Sequence, residues 1–247
     1  MLFINRIFGL HIPNWKQISV EYYQYINEIN ESEMDELDKV LYIITFLTKS
    51  TEEKINKIDL KTFNKLQNQF KKRFEVLTKK GKHTDKIKGF RFIYDMSKIT
   101  LGQYIEVQHF VAKGQIDNLH LIAASISKKG KLGHIEKADK ILKLSFLPVL
   151  WNVVKFLEEF KKLNDGYKGL FGIEELEEDE YKPVTNAFNE QYGWIYSAKK
   201  IAEFEGITLE KAFELPIIQA LNDLSYLKAL QEYESEINKR QLSEINK

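Results

Sequence analysis

The chain runs to 247 residues, 43% hydrophobic, 13% aromatic and 30% charged, which supplies a buried core and excludes a disordered chain. Its 37 Lys and Arg against 36 Asp and Glu leave a net charge of +1, so no bulk positive field holds it to nucleic acid or a membrane. Zero cysteines exclude disulfides and thiolate metal sites.

Residues 1–10 are apolar but few, carry Arg6 and are followed by no cleavage-like small-residue pattern, so no secretory leader is expected. Trp15, Tyr22, Tyr23 and Tyr25 gather at the start of the first helix, whose stripe of Tyr22, Tyr25, Ile26 and Ile29 suits a core or a contact surface equally. Leu37, Val40, Leu41, Ile44 and Leu47 form a second stripe. Leu60, Phe63, Leu66, Phe70, Phe74 and Leu77 form a third, and both are expected to be core faces. Ser50-Thr51-Glu52-Glu53 and Thr100-Leu101-Gly102-Gln103 read as capping boxes, where a hydroxyl and a third-residue carboxylate or amide satisfy two orphan N–H groups. Between them, residues 86–95 alternate and are rich in Phe, Ile and Tyr, the pattern of a strand that is half of a hairpin.

The stretch 142–160 is strongly apolar, with Leu147, Leu150, Trp151, Val154, Leu157 and Phe160 on one face. Lys143, Pro148, Lys155, Glu158 and Glu159 interrupt it, so it reads as a buried helix and not a membrane span. Gly166, Gly169 and Gly172 precede an acidic run at 174–180, which marks a boundary. Phe188, Tyr192, Ile195, Ala198 and Ala202 then define a helix ending near Gly206, Thr208 caps a short helix, and Pro216 opens a last helix through Ile217, Leu221, Leu224, Leu227 and Leu230. The expectation is a mainly α protein, a multi-helix bundle of about nine helices with one short β-hairpin or strand. An N-terminal helical region, 1–168, holds the β element, and 169–247 form a C-terminal helical region; no internal repeat is read.

No motif for catalysis emerges. Gly81-Lys82 resembles the end of a phosphate loop, but Val76 stands where the loop needs glycine and His83 where it needs a hydroxyl, so it reads as a turn. His11, His83, His109, His120 and His134 include no helical pair spaced for a metal, and Glu174, Glu175, Glu177 and Glu178 are dense enough to stay solvated. No serine sits in a nucleophile elbow. The chain is therefore expected not to be an enzyme and to use no cofactor or metal.

Charge is segregated instead. Residues 21–38 hold seven acids and no lysine, whereas 71–91 hold nine Lys and Arg against two acids. The blocks serve as solvated faces, as a complementary pair between protomers, or as a nucleic-acid contact. Phe70, Phe74, Phe90 and Phe92 interleave with the basic block as in base-stacking sites, although their spacing fits a core better. The candidate protein-contact residues are Glu21, Glu28, Glu31, Glu33 and Asp35, then Lys79, Lys80, Lys82, Lys86 and Lys88, and Trp194 in the cluster Tyr192, Trp194, Tyr196.

Ile99-Thr100-Leu101-Gly102-Gln103-Tyr104-Ile105-Glu106-Val107-Gln108, followed by Asn118-Leu119-His120-Leu121-Ile122-Ala123-Ala124, resembles structural and assembly proteins of tailed bacteriophages, particularly crAss-like phages of gut Bacteroidetes. Trp15-Lys16-Gln17-Ile18-Ser19-Val20, Gly89-Phe90-Arg91-Phe92, Tyr192-Gly193-Trp194-Ile195-Tyr196 and Leu215-Pro216-Ile217-Ile218 are similar to that group too. The resemblance implies a virion protein of the tail and neck, made in the host bacterial cytoplasm. It would be either a ring component (connector) between portal and tail or a tail-assembly chaperone absent from the mature particle. The ring reading brings as partners further copies of itself, about twelve-fold if matched to a portal, with the portal and neighbouring tail and neck proteins. It also allows non-specific DNA contact in a lumen through the lysine block, and it involves no membrane.

Overall fold

Short polar side chains start the helices of this chain. In the computed structural model, which describes residues 10, 12–15, 17–74, 81–171 and 185–245, Ser19 Oγ accepts from Tyr22 N–H to open α1 (Val20–Glu31). Asp35 accepts from Leu37 N–H to open α2 (Glu36–Thr48), and Thr51 from Lys54 N–H to open α3 (Glu52–Asn56), so the cap expected at Ser50 belongs one residue later. Asp59 accepts from Thr62 N–H at 2.8 Å beside the start of α4 (Leu60–Phe74). Next come β1 (Lys86–Ile87), β2 (Phe90–Phe92), a 3-10 turn (Met96–Lys98), α5 (Leu101–Ala112), α6 (Leu119–Ser125), β3 (Ser127–Lys128), α7 (His134–Leu142) and α8 (Phe146–Gly166). The chain continues through α9 (Lys168–Phe171), α10 (Thr185–Glu205), α11 (Leu209–Glu214) and α12 (Ile217–Ile245). Twelve α-helices and three short strands among the described residues make the chain mainly α, with a small antiparallel sheet.

Packing divides the chain into two compact units, Met1–Phe92 with Phe110–Lys155, and Ile93–His109 with Phe156–Lys247. They interleave in sequence, where composition suggested a single cut at 168.

In the first unit, Val20, Ile26 and Ile29 of α1 are buried with Ile43, Ile44 and Leu47 of α2, while Tyr22 and Tyr25 lie against Phe46 at 5.0 and 4.5 Å. Tyr23 stacks on Phe146 at 3.6 Å, and Trp15 joins both rings. Two stripes are less buried than their spacing implied. Leu37 is 58% and Leu60 75% exposed, and of the α4 stripe only Leu66 is buried among the described side chains. Helical spacing shows that an apolar face exists but not that a neighbour covers its whole length. In α8 the buried positions Phe146, Val149, Val153 and Phe156 lie one residue off the expected stripe, Phe160 is buried as expected, and Leu147, Leu150 and Val154 are half-buried. A nearly all-apolar helix end leaves its deepest face undetermined by sequence. Asn152 is fully buried, donating to Pro148 O at 2.8 Å and accepting from Thr84 N–H at 3.1 Å. That bond ties the segment leading into the hairpin to α8, and Gly81 lies so close to the Trp151 indole that a Cβ there would overlap it.

The three strands run antiparallel in the order β1-β2-β3, with Lys86 opposite Arg91, Arg91 opposite Lys128, Ile87 opposite Phe90 and Phe92 opposite Ser127. Lys88 and Gly89, both with positive φ (44° and 87°), make the two-residue turn of the hairpin.

In the second unit the Thr100 box forms as expected: Gln103 Oε1 accepts from Thr100 N–H at 3.0 Å, and Thr100 Oγ1 from Gln103 N–H at 3.2 Å. Tyr104 is fully buried, stacked on Phe160 at 4.8 Å and edge-on to Trp194 at 5.4 Å. Its hydroxyl donates to Asn164 Oδ1 at 2.7 Å and accepts from Gln108 Nε2 at 2.9 Å.

One local arrangement occurs in both units. Ser19 and Ser145 form an antiparallel bridge, with Val20 N–H donating to Leu144 O and Phe146 N–H to Ile18 O, both at 2.9 Å. Thr100 and Pro216 form another, with Leu101 N–H donating to Leu215 O at 2.9 Å and Ile217 N–H to Ile99 O at 2.8 Å. Each bridge staples the N-termini of two helices, satisfying orphan N–H groups of each with a carbonyl ahead of the other. Around the two bridges, Ile18-Ser19-Val20 with Tyr23 parallels Ile99-Thr100-Leu101 with Tyr104, a likeness of a few residues and not a sequence repeat.

Candidate functional site

Alternation in β2 buries Phe90 and Phe92 and turns Arg91 outward. Register then sets Lys86, Arg91 and Lys128 side by side on one exposed face, a row of three cations across three strands. Like charges directly opposite each other oppose strand pairing, yet no ion pair neutralises any of the three among the described residues. Lys88 at the turn and Lys82 and Lys131 on the flanking segments are exposed as well. Lys129 is used structurally, donating to Lys88 O at 3.1 Å and lying over the Phe90 ring at 4.2 Å. Of the lysines expected here, Lys82, Lys86 and Lys88 are therefore on this surface, and Lys79 and Lys80 lie outside the described residues. Arg91 was counted in the basic block but not among the contact candidates, and Lys128 was missed. The alternation of 90–92 signals the first; nothing marks Ser127-Lys128 as a third strand, because two residues carry no period.

The acids divide among tasks. Glu21, Glu28 and Glu31 line an open groove of about 650 Å³ with Gln24, Tyr25, Ser32 and Asp117. Glu21 pairs with Lys143, Glu31 accepts from Asn27 Nδ2 at 3.0 Å, and Asp35 caps α2. Glu33 is exposed. Among the described residues no ion pair joins the acids of 21–38 to the cations of 82–91.

Beneath that groove lies a group of imidazoles. Gln24 Nε2 lies 3.0 Å from Ile116 O, 2.7 Å from Asp117 O and 3.0 Å from His120 Nδ1, so its two N–H groups are shared among these three neighbours. Burial pushes His120 below its ordinary value; His134 lowers it further and Asp139 opposes the shift. His134 Nε2 is 3.0 Å from Ser125 Oγ, the heavy atoms of a nucleophile–base pair. Ser125 is 1% exposed, its hydroxyl donates to Leu121 O at 3.1 Å, and His134 Nε2 also contacts that carbonyl at 3.2 Å, so both side chains meet the same carbonyl of α6. His120 is near enough to His134 and Asp139 to feel both charges. Among the described residues no three His, Asp or Glu are placed to hold a metal, and no helix is long and apolar enough to cross a membrane.

A different surface belongs to the second unit. Tyr192, Ile195 and Tyr196 of α10 and Tyr226, Leu230 and Tyr233 of α12 are exposed, Tyr233 by 61%. Phe204 touches Tyr226 at 5.5 Å, and Tyr196 and Leu230 share the rim of a groove of about 450 Å³ with Leu170, Leu224 and Leu227. Beyond Leu230, every α12 side chain described is exposed except the partly covered Ile237. Trp194 is half-buried beside Tyr104, so within its aromatic cluster Tyr192 and Tyr196 are the more available.

No protein-family model, curated protein or solved structure matches this chain. The segments carrying the phage resemblance are packing junctions. Ile99-Thr100-Leu101 pairs with Leu215-Pro216-Ile217, Tyr104 meets Trp194, and residues 18–20 pair with 144–146. Gly102 brings the first turn of α5 so near Phe213 that a Cβ there would stand 3.2 Å from its carbonyl oxygen. Such residues specify a fold and its contacts.

Proposed function

We propose that this chain is a non-enzymatic structural component of a tailed-bacteriophage particle, a ring or neck protein between portal and tail that works by repeated contact with copies of itself and with neighbouring proteins. The observation carrying the reading is the set of exposed aromatic side chains on α10 and α12. Tyr192, Tyr196, Tyr226 and Tyr233 stay exposed, and Tyr196 shares a groove with Leu230, the composition of interface hot spots and not of a solvated helix face. The second half of α12 agrees: about four turns of helix without packing are marginal in water and are stabilised by a partner.

The second reading is a tail-assembly chaperone that leaves before the particle matures. It is favoured by the groove whose apolar side is Leu224, Leu227 and Leu230 and whose polar side includes Lys200, Lys228 and Glu234, which offers a temporary seat for an unassembled amphipathic helix. Quantitative mass spectrometry of purified particles, scaled to the portal protein, separates the two. A signal stoichiometric with the portal supports the ring component; absence from particles with abundance in infected-cell lysate sinks it and favours the chaperone.

A further inference from the structure

We infer that the exposed face of the three-stranded sheet is a docking surface for the phosphate backbone of duplex DNA, read by charge and not by sequence. Its centre is the ladder row Lys86, Arg91 and Lys128, spanning about 10 Å across three strands. Duplex DNA carries one charge per about 1.7 Å of axis, so the row faces several phosphates at once. Lys88 and Lys131 extend it, and Asp85 is the one acid in residues 81–94.

Three features select this ligand over others. Phe90 and Phe92 are buried under the sheet, which removes the aromatic platform that single strands stack upon. The outward side chains of the row are all cations, whereas protein interfaces are depleted in lysine and centre on apolar or aromatic anchors. Lysine ammonium groups are compact point charges suited to phosphates whose positions need not be fixed, while base readout needs side chains reaching base edges from a helix or ribbon in the groove. The inference stands on the sheet alone and does not depend on the virion reading.

The test is fluorescence anisotropy of the full chain with labelled duplexes of about 30 base pairs in two unrelated sequences, over a salt series. Three contacts give a slope of log K on log salt of about −2.7, a weakening of about 40-fold between about 50 and 200 mM, equal for both sequences. The triple variant Lys86→Gln, Arg91→Gln, Lys128→Gln should lose most of the affinity and flatten the slope. Removing the same charge from α4 with Lys61→Gln, Lys65→Gln, Lys72→Gln should change little, because bulk charge is not the cause. Equal losses in the two triple variants, a preference for one sequence, or no binding at the low-salt end would overturn the inference. So would row-dependent self-association without DNA binding, which would assign the row to the acidic face of a second copy. If the sheet variant fails to fold, protection of Lys86 and Lys128 from acetylation by duplex DNA in the unaltered chain decides; unprotected lysines count against it.

Discussion

Replacing Tyr104 with Phe removes one oxygen from the centre of the second unit and nothing else. Two hydrogen bonds go with it, the donation to Asn164 at 2.7 Å and the acceptance from Gln108 at 2.9 Å. Each is worth about 1 kcal/mol net, and a fully buried orphan adds about 1–3 kcal/mol. Asn164 and Gln108 are half-buried, so water partly replaces the lost partner and the expected cost is about 1–2 kcal/mol. Tyr104→Ala also forfeits the ring against Phe160 and Trp194, raising the loss to about 3–5 kcal/mol. Urea denaturation followed by tryptophan fluorescence measures both. Asn164→Ala completes a double-mutant cycle with a coupling of about 0.5–1.5 kcal/mol. Burial also raises the phenol above its ordinary 10.0, so the unfolded chain ionises first. Stability from this group holds below about pH 10 and falls as pH rises past it, a decline that Tyr104→Phe should remove. A Tyr104→Phe chain within about 0.5 kcal/mol of the parent, or additivity with Asn164→Ala, would refute the reasoning.

Acid should loosen the first unit. His120 has a folded pKa below 6.5, so the unfolded state takes up its proton first; stability is full above 6.5 and is lost as pH falls below it toward the folded value. The protonated ring would set an Nδ1–H against the Gln24 amide, and flipping that amide would turn its oxygen toward Ile116 O and Asp117 O. Melting temperature should fall between about pH 7.5 and 5.5, and His120→Asn should flatten the curve; equal slopes would reject the assignment. Gly81→Ala should cost about 1–3 kcal/mol by displacing Trp151, visible as an altered tryptophan emission, while an unchanged spectrum and stability would show the contact to be dispensable. Lys137→Met should cost about 1–3 kcal/mol, because its ammonium satisfies Ala124 O at 2.6 Å and Ser127 O at 2.8 Å; faster amide exchange in β3 should accompany the loss.

What could be read in the chain beforehand followed the range of each interaction. The Thr100 box and the helix after Pro216 are encoded within a few neighbours and formed where spacing placed them, whereas the single strand expected over 86–95 is broken at Lys88-Gly89 into both strands of a hairpin. The depth of each helix face was not legible, because Leu37 and Leu60 obey the same period as Ile44 and Leu66 and only a distant neighbour decides which is covered. The same holds for the cationic surface. Lys86, Lys88 and Arg91 stood out as part of a charge block, but alternation alone turns Arg91 outward, and Lys128 joins them only through pairing across some forty residues of chain. Trp194 drew notice as a candidate contact residue, and its place against Tyr104 depends on a helix nearly a hundred residues away.

The two staples carry a consequence for how the polypeptide is made. Each joins residues about 120 positions apart, and the second opens at Thr100 before the first closes at Ser145. The closures overlap like the stems of a pseudoknot. A ribosome delivering the chain in order must release Ser145 before the first closure and Pro216 before the second, so these two closures wait on late residues. Any single cut between Thr100 and Ser145 severs both closures at once, and neither terminal fragment inherits an intact set of native partners.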